Sequence, residues 1–289
     1  GYKMIGIIGG SGIYGLPGLK IIDSFNINTP FGDPSCEISK LSFNNIEFFF
    51  LPRHGLKHQF SPTKVNYRAN IYALKSLGVK QILSFSACGS LNEKFCPGDF
   101  VLVDDYVDFT KKRESSFFEK DIVAHVSMAR PSCSILRKKL SNAMNKEEIP
   151  FHDGGTYIAI EGPQFSSLAE SLFYKNVMKC DVIGMTNMPE AKLAREAEIC
   201  YQTIAMVTDF DCWNEDIEPV TLEEIQRIFA QNLVNVEAVL SRILDKLEIR
   251  LIDKTCDEGC NDSLNSAILQ DLGSQNKKES LGCLLEKYI

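Results

Sequence analysis

Short apolar runs alternate with amphipathic stretches along most of the chain. Met4 to Ile8 is the first such run, and it ends in Gly9-Gly10-Ser11-Gly12. Cys36 to Phe43 and Glu47 to Leu51 follow, separated by Asn44-Asn45, a pair suited to a hairpin turn. Gln81 to Ser86, Phe100 to Asp104, Thr156 to Ile160, Asp181 to Met185 and Cys200 to Thr208 complete the series of predicted strands. The last holds Ile204, Ala205, Met206 and Val207 without a polar break, as a strand buried on both faces does. Between these runs the apolar spacing turns helical. Pro62 to Leu77 puts Val65, Ala69, Tyr72, Ala73 and Leu77 on one face and closes on Gly78. Ser132 to Glu147, Ser167 to Met178, Pro189 to Ala197 and Thr221 to Leu247 predict further helices. Ser166 or Ser167 is the predicted N-cap of the second of these, with Glu170 in its first turn, and Thr221 with Glu224 has the spacing of a capping box. Asp105 to Arg130 is long and polar, and is predicted irregular.

Strand and helix alternate to about residue 250, which predicts one α/β domain with a central mixed sheet flanked by helices over residues 1–250. Residues 251–289 read as a polar C-terminal tail, partly disordered or packed on the core or on a neighbouring subunit. The 289 residues are 44% hydrophobic and 24% charged, an ordinary globular composition. A net charge of -7 without a basic cluster argues against nucleic acid as a partner. No apolar run approaches the roughly 20 residues that cross a bilayer, so no membrane is expected either. GYKMIGIIGG lacks the regions of a signal peptide, and the expected location is cytoplasmic. The ten cysteines are scattered with no CxxC pair, so no zinc ribbon or other metal cluster is predicted. Cys256 and Cys260 form a CxxxC in the tail, where free thiols are favoured over a disulfide in a reducing compartment.

The candidate chemistry lies where the apolar runs stop. Ser11, Arg53 with His54, Ser86 with Ala87, Glu161 with Phe165, Met185 with Thr186, and Asp209 with Asp211 all follow predicted strands directly. Each cluster alone fits a turn, a cap or a solvated loop equally well. Recurrence at one structural position predicts a single pocket at the carboxyl ends of the strands. Ser11, Arg53, His54 and Thr186 make a donor set suited to phosphate. Phe165 can stack on a flat ring. Asp209 and Asp211, two residues apart in an extended segment, point the same way and can serve a ring nitrogen. The implied chemistry is displacement by phosphate beside a heterocycle.

Several stretches resemble the 5′-methylthioadenosine phosphorylases of the trimeric purine nucleoside phosphorylase family. They are GIIGGSG at 6–12, LPRHG at 51–55, KVNYRANIYALK at 64–75, SACGSL at 86–91, PGDFV at 97–101, IEGPQFSS at 160–167, AES at 169–171, VIGMTNMPE at 182–190 and TIAMVTDFDCW at 203–213. The resemblance implies a core built on a distorted mixed sheet, the purine and uridine phosphorylase fold. It implies phosphate contacts at Ser11, Arg53, His54, the Ala87 amide and Thr186. Ribose contacts fall on Ser86 and Met185, and the purine falls on Phe165, Ser166, Asp209 and Asp211. The 5′ substituent would meet Leu222, Ile225, Gln226 and a His125 lent by the neighbouring subunit of a homotrimer. Catalysis would rest on Asp209, Arg53 and His54. The implied reaction is a pentosyl transfer that converts 5′-methylthioadenosine and inorganic phosphate, a co-substrate, into adenine and 5-methylthioribose 1-phosphate. It serves purine and methionine salvage, and it needs no organic cofactor and no metal. Asp at 209, where hypoxanthine- and guanine-selective relatives have Asn, implies selectivity for 6-aminopurines. Gln226, where the animal enzyme has Leu, leaves adenosine as an alternative substrate. The alternative readings are an adenosine or general purine nucleoside phosphorylase with the same fold, and a nucleoside-binding protein without catalysis.

Overall fold

A computed structural model of the protein describes residues 5–218, 221–244, 256–269 and 281–288. Eleven strands form one sheet. In chain order the elements are β1 (Ile5–Gly9), β2 (Lys20–Phe25), β3 (Ile38–Phe43), β4 (Ile46–Pro52), α1 (Tyr67–Ser76), β5 (Gln81–Ser90), β6 (Phe100–Leu102), β7 (Asp105–Phe109), α2 (Ser134–Lys146), β8 (Phe151–Asp153), β9 (Thr156–Ile160), α3 (Leu168–Leu172), β10 (Val182–Gly184), α4 (Asn187–Glu196), β11 (Cys200–Asp209) and α5 (Leu222–Ile243). The order across the sheet is β2-β3-β4-β1-β5-β10-β9-β7, and β11 joins it by pairing with β5 and with β6, which in turn pairs with β8. This is the mixed sheet that the chain pattern predicts.

The distortion arises at β5. Its first half lies parallel to β1 on one side and to β11 on the other. Its far end, at Gly89 and Ser90, instead pairs antiparallel with β10. One long strand thus serves two branches of the sheet. The two faces carry separate apolar clusters. Ile8, Leu51, Ile71, Leu74 and Ile82 belong to one, with α1 and α4. Ile7, Phe50, Leu83, Ile204 and Leu240 belong to the other, with α2 and α5. Neighbouring residues of one strand enter opposite clusters, as the period of two requires.

Local signals account for most boundaries. Asn44 and Asn45 both adopt positive φ (50° and 62°) in the hairpin between β3 and β4, which asparagine tolerates well. Asn66 accepts from the Ala69 amide and caps α1, so the helix starts five residues after Pro62. The Ser167–Glu170 capping box forms, but α3 gives way to a π-turn at Phe173–Val177. The Thr221 hydroxyl caps α5. The predicted ends of the first strand at Met4 and of this last helix at Leu247 lie outside the described residues, as does the boundary at 250.

Two readings are corrected. The strand predicted to end at Ser86 runs on to Ser90 as β5. The polar stretch from Asp105 begins with β7, which pairs with β9 at the far end of the sheet from β2. Lys20–Phe25 forms β2, with Ile21 and Ile22 exposed. The described parts of the tail pack on the core through Cys256, Cys260, Leu264, Leu281, Leu284 and Leu285. Among the described residues, no helix is long and apolar enough to cross a membrane.

Candidate active site

β4, β1, β5 and β11 run parallel, so their carboxyl ends share one edge. Pro52 sits beside Gly9, and the Arg53 amide donates to the Gly9 carbonyl at 3.0 Å. Ser11 opens the turn just past β1. On β5, Ser86 lies beside Ala205 and Ala87 beside Met206. β10 comes back along the end of β5 and delivers Met185 and Thr186 to the same region. A cavity of about 260 Å³ opens there, lined in part by Ala87, Phe165, Ser166, Met185, Thr186 and Asp209. Ala87 is the one exposed residue of an otherwise buried strand, and it lines the cavity. Phe165, at the same cavity, is 53% exposed, a large apolar surface with no protein neighbour to cover it.

The two carboxylates meet by a route that simple alternation does not predict. A register shift between Val207 and Asp209 brings Asp209 opposite Gly89. Asp211 then takes a left-handed conformation (φ 54°), so it is not part of an extended segment. Its amide donates to Asp209 Oδ1 at 2.8 Å, and the Thr208 hydroxyl donates to Asp209 Oδ2 at 2.7 Å. Burial pushes the Asp209 carboxyl up to about 6 against these two bonds, and the charge of Asp211 adds to the rise. Burial also raises Asp211. The Ser171 and Ser166 hydroxyls counter that rise, yet Asp211 Oδ2 and Ser166 Oγ close no hydrogen bond of good geometry with the described residues. Thr186 Oγ1 is likewise buried and closes no hydrogen bond of good geometry among them, with the Tyr157 hydroxyl close by. Buried polar atoms without partners are rare. Three that are under-bonded, in residues lining one cavity, suit a polar ligand.

Glycine permits this packing. A Cβ on Gly89 would come within 2.9 Å of Asp209 Oδ1 and 3.1 Å of Ile183 Cγ2. The segment after Asp211 is tied down by Trp213, whose indole donates to the Ser90 carbonyl at 2.7 Å.

Behind the cavity, Arg53 is 2% exposed and forks onto Glu190, with Nε to Oε2 at 2.7 Å and Nη2 to Oε1 at 2.9 Å. Nη1 donates to the Phe85 carbonyl and Nη2 also to the Ser84 hydroxyl. Four of its five N–H groups are thereby engaged, so the fork grips a carboxylate and one Nη1–H has no acceptor among the described residues. Burial opposes ionisation of Glu190, but the Arg53 charge and the bonds from Arg53, Ser84 and Tyr201 hold it below the usual carboxylate range. The reading of His54 as a donor needs correction. Its Nδ1 faces the Phe60 carbonyl at 2.9 Å, which can only accept, so Nδ1 carries the proton. Burial and the nearby Arg53 lower the imidazole to about 4, which keeps the ring neutral near pH 7. Nε2 is then an acceptor, suited to a protonated phosphate oxygen or a hydroxyl.

Nine predicted residues line the cavity: Ala87, Phe165, Ser166, Met185, Thr186, Asp209, Asp211, Leu222 and Ile225. Ser11, Arg53, His54, Ser86, His125 and Gln226 do not. Ser86 is buried beside Asn187 at 3.4 Å. Gln226 is exposed on the first turns of α5. His125 is exposed, and its amide donates to the Ala267 carbonyl in the C-terminal segment. The pattern of strand ends does not single out His58, which lines the cavity and stacks on His54 at 4.3 Å. Arg113 also lies off the strand ends. It pairs with Glu161 at 2.8 Å and donates to the Met185 and Met188 carbonyls at 2.6 and 2.7 Å, tying the loops after β9 and β10 together. Its place in a polar stretch hides it, because nothing in composition separates a buried arginine from a solvated one.

Sheet topology and site together define a phosphorylase, and comparison with known proteins agrees. The model of the phosphorylase superfamily matches residues 4–245. The S-methyl-5′-thioadenosine phosphorylase of Bradyrhizobium diazoefficiens is 49% identical over 266 residues, covering 92% of this chain and 90% of that protein. A crystal structure of a methylthioadenosine phosphorylase from an antarctic soil metagenomic library has a TM-score of 0.90 and 43% identity, over 98% of this chain and 99% of the other. Methylthioadenosine phosphorylase from Schistosoma mansoni in complex with adenine gives 0.84 and 34%, over 92% and 98%. The chain belongs to the S-methyl-5′-thioadenosine phosphorylase family, within the phosphorylase superfamily.

Proposed function

We propose that the protein is a pentosyltransferase that cleaves 5′-methylthioadenosine with inorganic phosphate, releasing adenine and 5-methylthio-α-D-ribose 1-phosphate. The observation that carries this reading is Asp209, a buried carboxyl raised to about 6 in the same cavity as the exposed Ala87 and the under-bonded Thr186 hydroxyl. Leaving-group protonation needs an acid that still holds its proton near neutrality. Asp209 gives its proton to purine N7 as the C1′–N9 bond breaks. A phosphate oxygen then forms the new bond to C1′. Asp211 accepts from the 6-amino edge, and Phe165 stacks on the ring.

The phosphate rests on the Ala87 amide, the Ser11 and Thr186 hydroxyls and one N–H of the Arg53 guanidinium, whose charge Glu190 already counters. His54 Nε2 accepts from its protonated oxygen. Ser86 and Met185 flank the ribose, and Leu222 and Ile225 supply apolar surface for the methylthio group. Inorganic phosphate is the co-substrate, and the reaction draws on no organic cofactor. We assign the working form to a homotrimer in the cytoplasm in which His125 completes a neighbour's 5′ pocket. Exposed Leu168, Leu172, Phe173 and Val177 around α3 support an interface beside Phe165.

The test is adenine release from 5′-methylthioadenosine with and without phosphate. Release that needs phosphate and yields a sugar phosphate is expected. Equal release without it would indicate a nucleosidase, and none at all would indicate a binding protein.

A further inference from the structure

Four of the ten cysteines, far apart in the chain, converge in the structure. Cys133 immediately precedes α2, Cys200 begins β11, and Cys256 and Cys260 bracket a tight turn in the C-terminal segment. They are 1–7% exposed, and their Sγ atoms all lie within 4.8 Å of one another. None is in a disulfide. Four sulfurs tetrahedrally bound at about 2.3 Å from a zinc ion would sit about 3.8 Å apart, while a disulfide would draw pairs to about 2.05 Å.

The surroundings favour thiolates. The N-terminus of α2 directs its dipole at Cys133. The Cys260 amide donates to Cys256 Sγ at 3.2 Å. Arg195 is 3% exposed, and among the described residues no carboxylate pairs with it. Its Nη1 reaches the Ser127 carbonyl and its Nη2 the Arg130 carbonyl, and Nη2 also faces Cys260 Sγ at 3.9 Å. A buried cation beside four thiols calls for negative charge there.

We propose that Cys133, Cys200, Cys256 and Cys260 form a tetrahedral thiolate site for one Zn2+ ion that fastens the C-terminal segment to the phosphorylase core. Binding forms four Zn–S bonds and releases the four thiol protons to solvent. The site is structural, since all four positions are protein ligands and none is left for a substrate. It lies at the start of β11, roughly 30 Å along the strand from Asp209 at about 3.3 Å per residue. Its reach to function is through the tail. Just past the cluster, the Leu264 amide donates to Glu198, Ala267 accepts from the His125 amide, and Ile268 forms an isolated bridge with Ala124. The ion would therefore hold the backing of His125 in place.

Elemental analysis of the full chain, purified under reducing conditions without chelator, is expected to give one zinc per chain. Cys256→Ser and Cys260→Ser should each bring that below about a tenth, while Cys96→Ser, an exposed cysteine outside the cluster, keeps it. Replacement of zinc by Co2+ should give the visible bands of a tetrahedral cobalt thiolate. A thiol-specific mercurial should release the zinc and lower the melting temperature by several degrees. Wild-type protein without stoichiometric zinc would overturn the proposal. So would two disulfides within this cluster, seen as a mass four hydrogens lighter than the reduced chain.

Discussion

At the scale of single residues, Asp209 concentrates the chemistry. Its carboxyl is raised, so the stability it confers is present below its unfolded value near 4 and is lost as pH rises through about 6. Two pKa units correspond to about 2–3 kcal/mol. Asp209→Asn is therefore expected to flatten the fall in unfolding free energy between pH 4 and 6 in the ligand-free enzyme, read by urea titration at each pH. The same substitution should move the ratio of kcat/KM values from 5′-methylthioadenosine toward 5′-methylthioinosine by at least about tenfold, since an amide can donate to a 6-oxo group. An unchanged ratio would remove Asp209 from base selection. Gly89→Ala tests the close approach behind it. A methyl group 2.9 Å from Asp209 Oδ1 must displace the carboxylate, and kcat/KM should fall about tenfold or more. Gly15→Ala is the control, because no atom lies within 4 Å of the added carbon.

At the scale of elements, the strand ends carry the site and the connections between them hold it in shape. Glu190 on α4 and Arg53 after β4 form the tightest such connection. Glu190→Gln leaves a buried guanidinium without its counter-charge, at a cost of about 3–5 kcal/mol. Denaturant unfolding should register that loss, and KM for phosphate should rise more than KM for the nucleoside, because the freed fork loses its orientation. Much of this layer was legible in the chain pattern. The strand ends at Gly9, Pro52, Ile160 and Gly184 are where apolar runs break, and their polar neighbours reach one edge of the sheet. What period and composition could not reveal were contacts made by exceptions to the period. Thr208 sits at a register shift, Asp211 is left-handed, and Ala87 is exposed in mid-strand, so strict alternation misplaces all three. Arg113 and the four clustered cysteines depend on long-range topology, to which spacing along the chain is blind.

At the scale of the whole molecule, the exposed apolar residues are unevenly spread. Leu168, Leu172, Phe173 and Val177 gather at α3 and the turn after it, next to Phe165. Surfaces like this are normally covered by another subunit. Leu172→Glu combined with Val177→Glu is expected to shift the protein toward monomer in analytical ultracentrifugation. Activity toward 5′-methylthioadenosine should fall with it, while the fold of each chain persists by circular dichroism. A monomer of undiminished activity would show that no residue of a neighbour completes the site.

The Arg53–Glu190 pair joins residues 137 positions apart in the chain. Thr208 reaches across 120 positions to the Cys88 carbonyl, and Arg113 across 72 to Met185. Contacts of such separation close late, because the entropy of a long loop must be overcome before they contribute. The proposed phosphate half of the site is thus assembled from segments that meet only when the sheet is nearly complete. In a refolding time course, helical signal should recover first and phosphorolysis last, with a lag that lengthens in Glu190→Gln. A chain released early from synthesis would contain Ser11, Arg53 and Ala87 and still lack the partners that bring them into one proposed site.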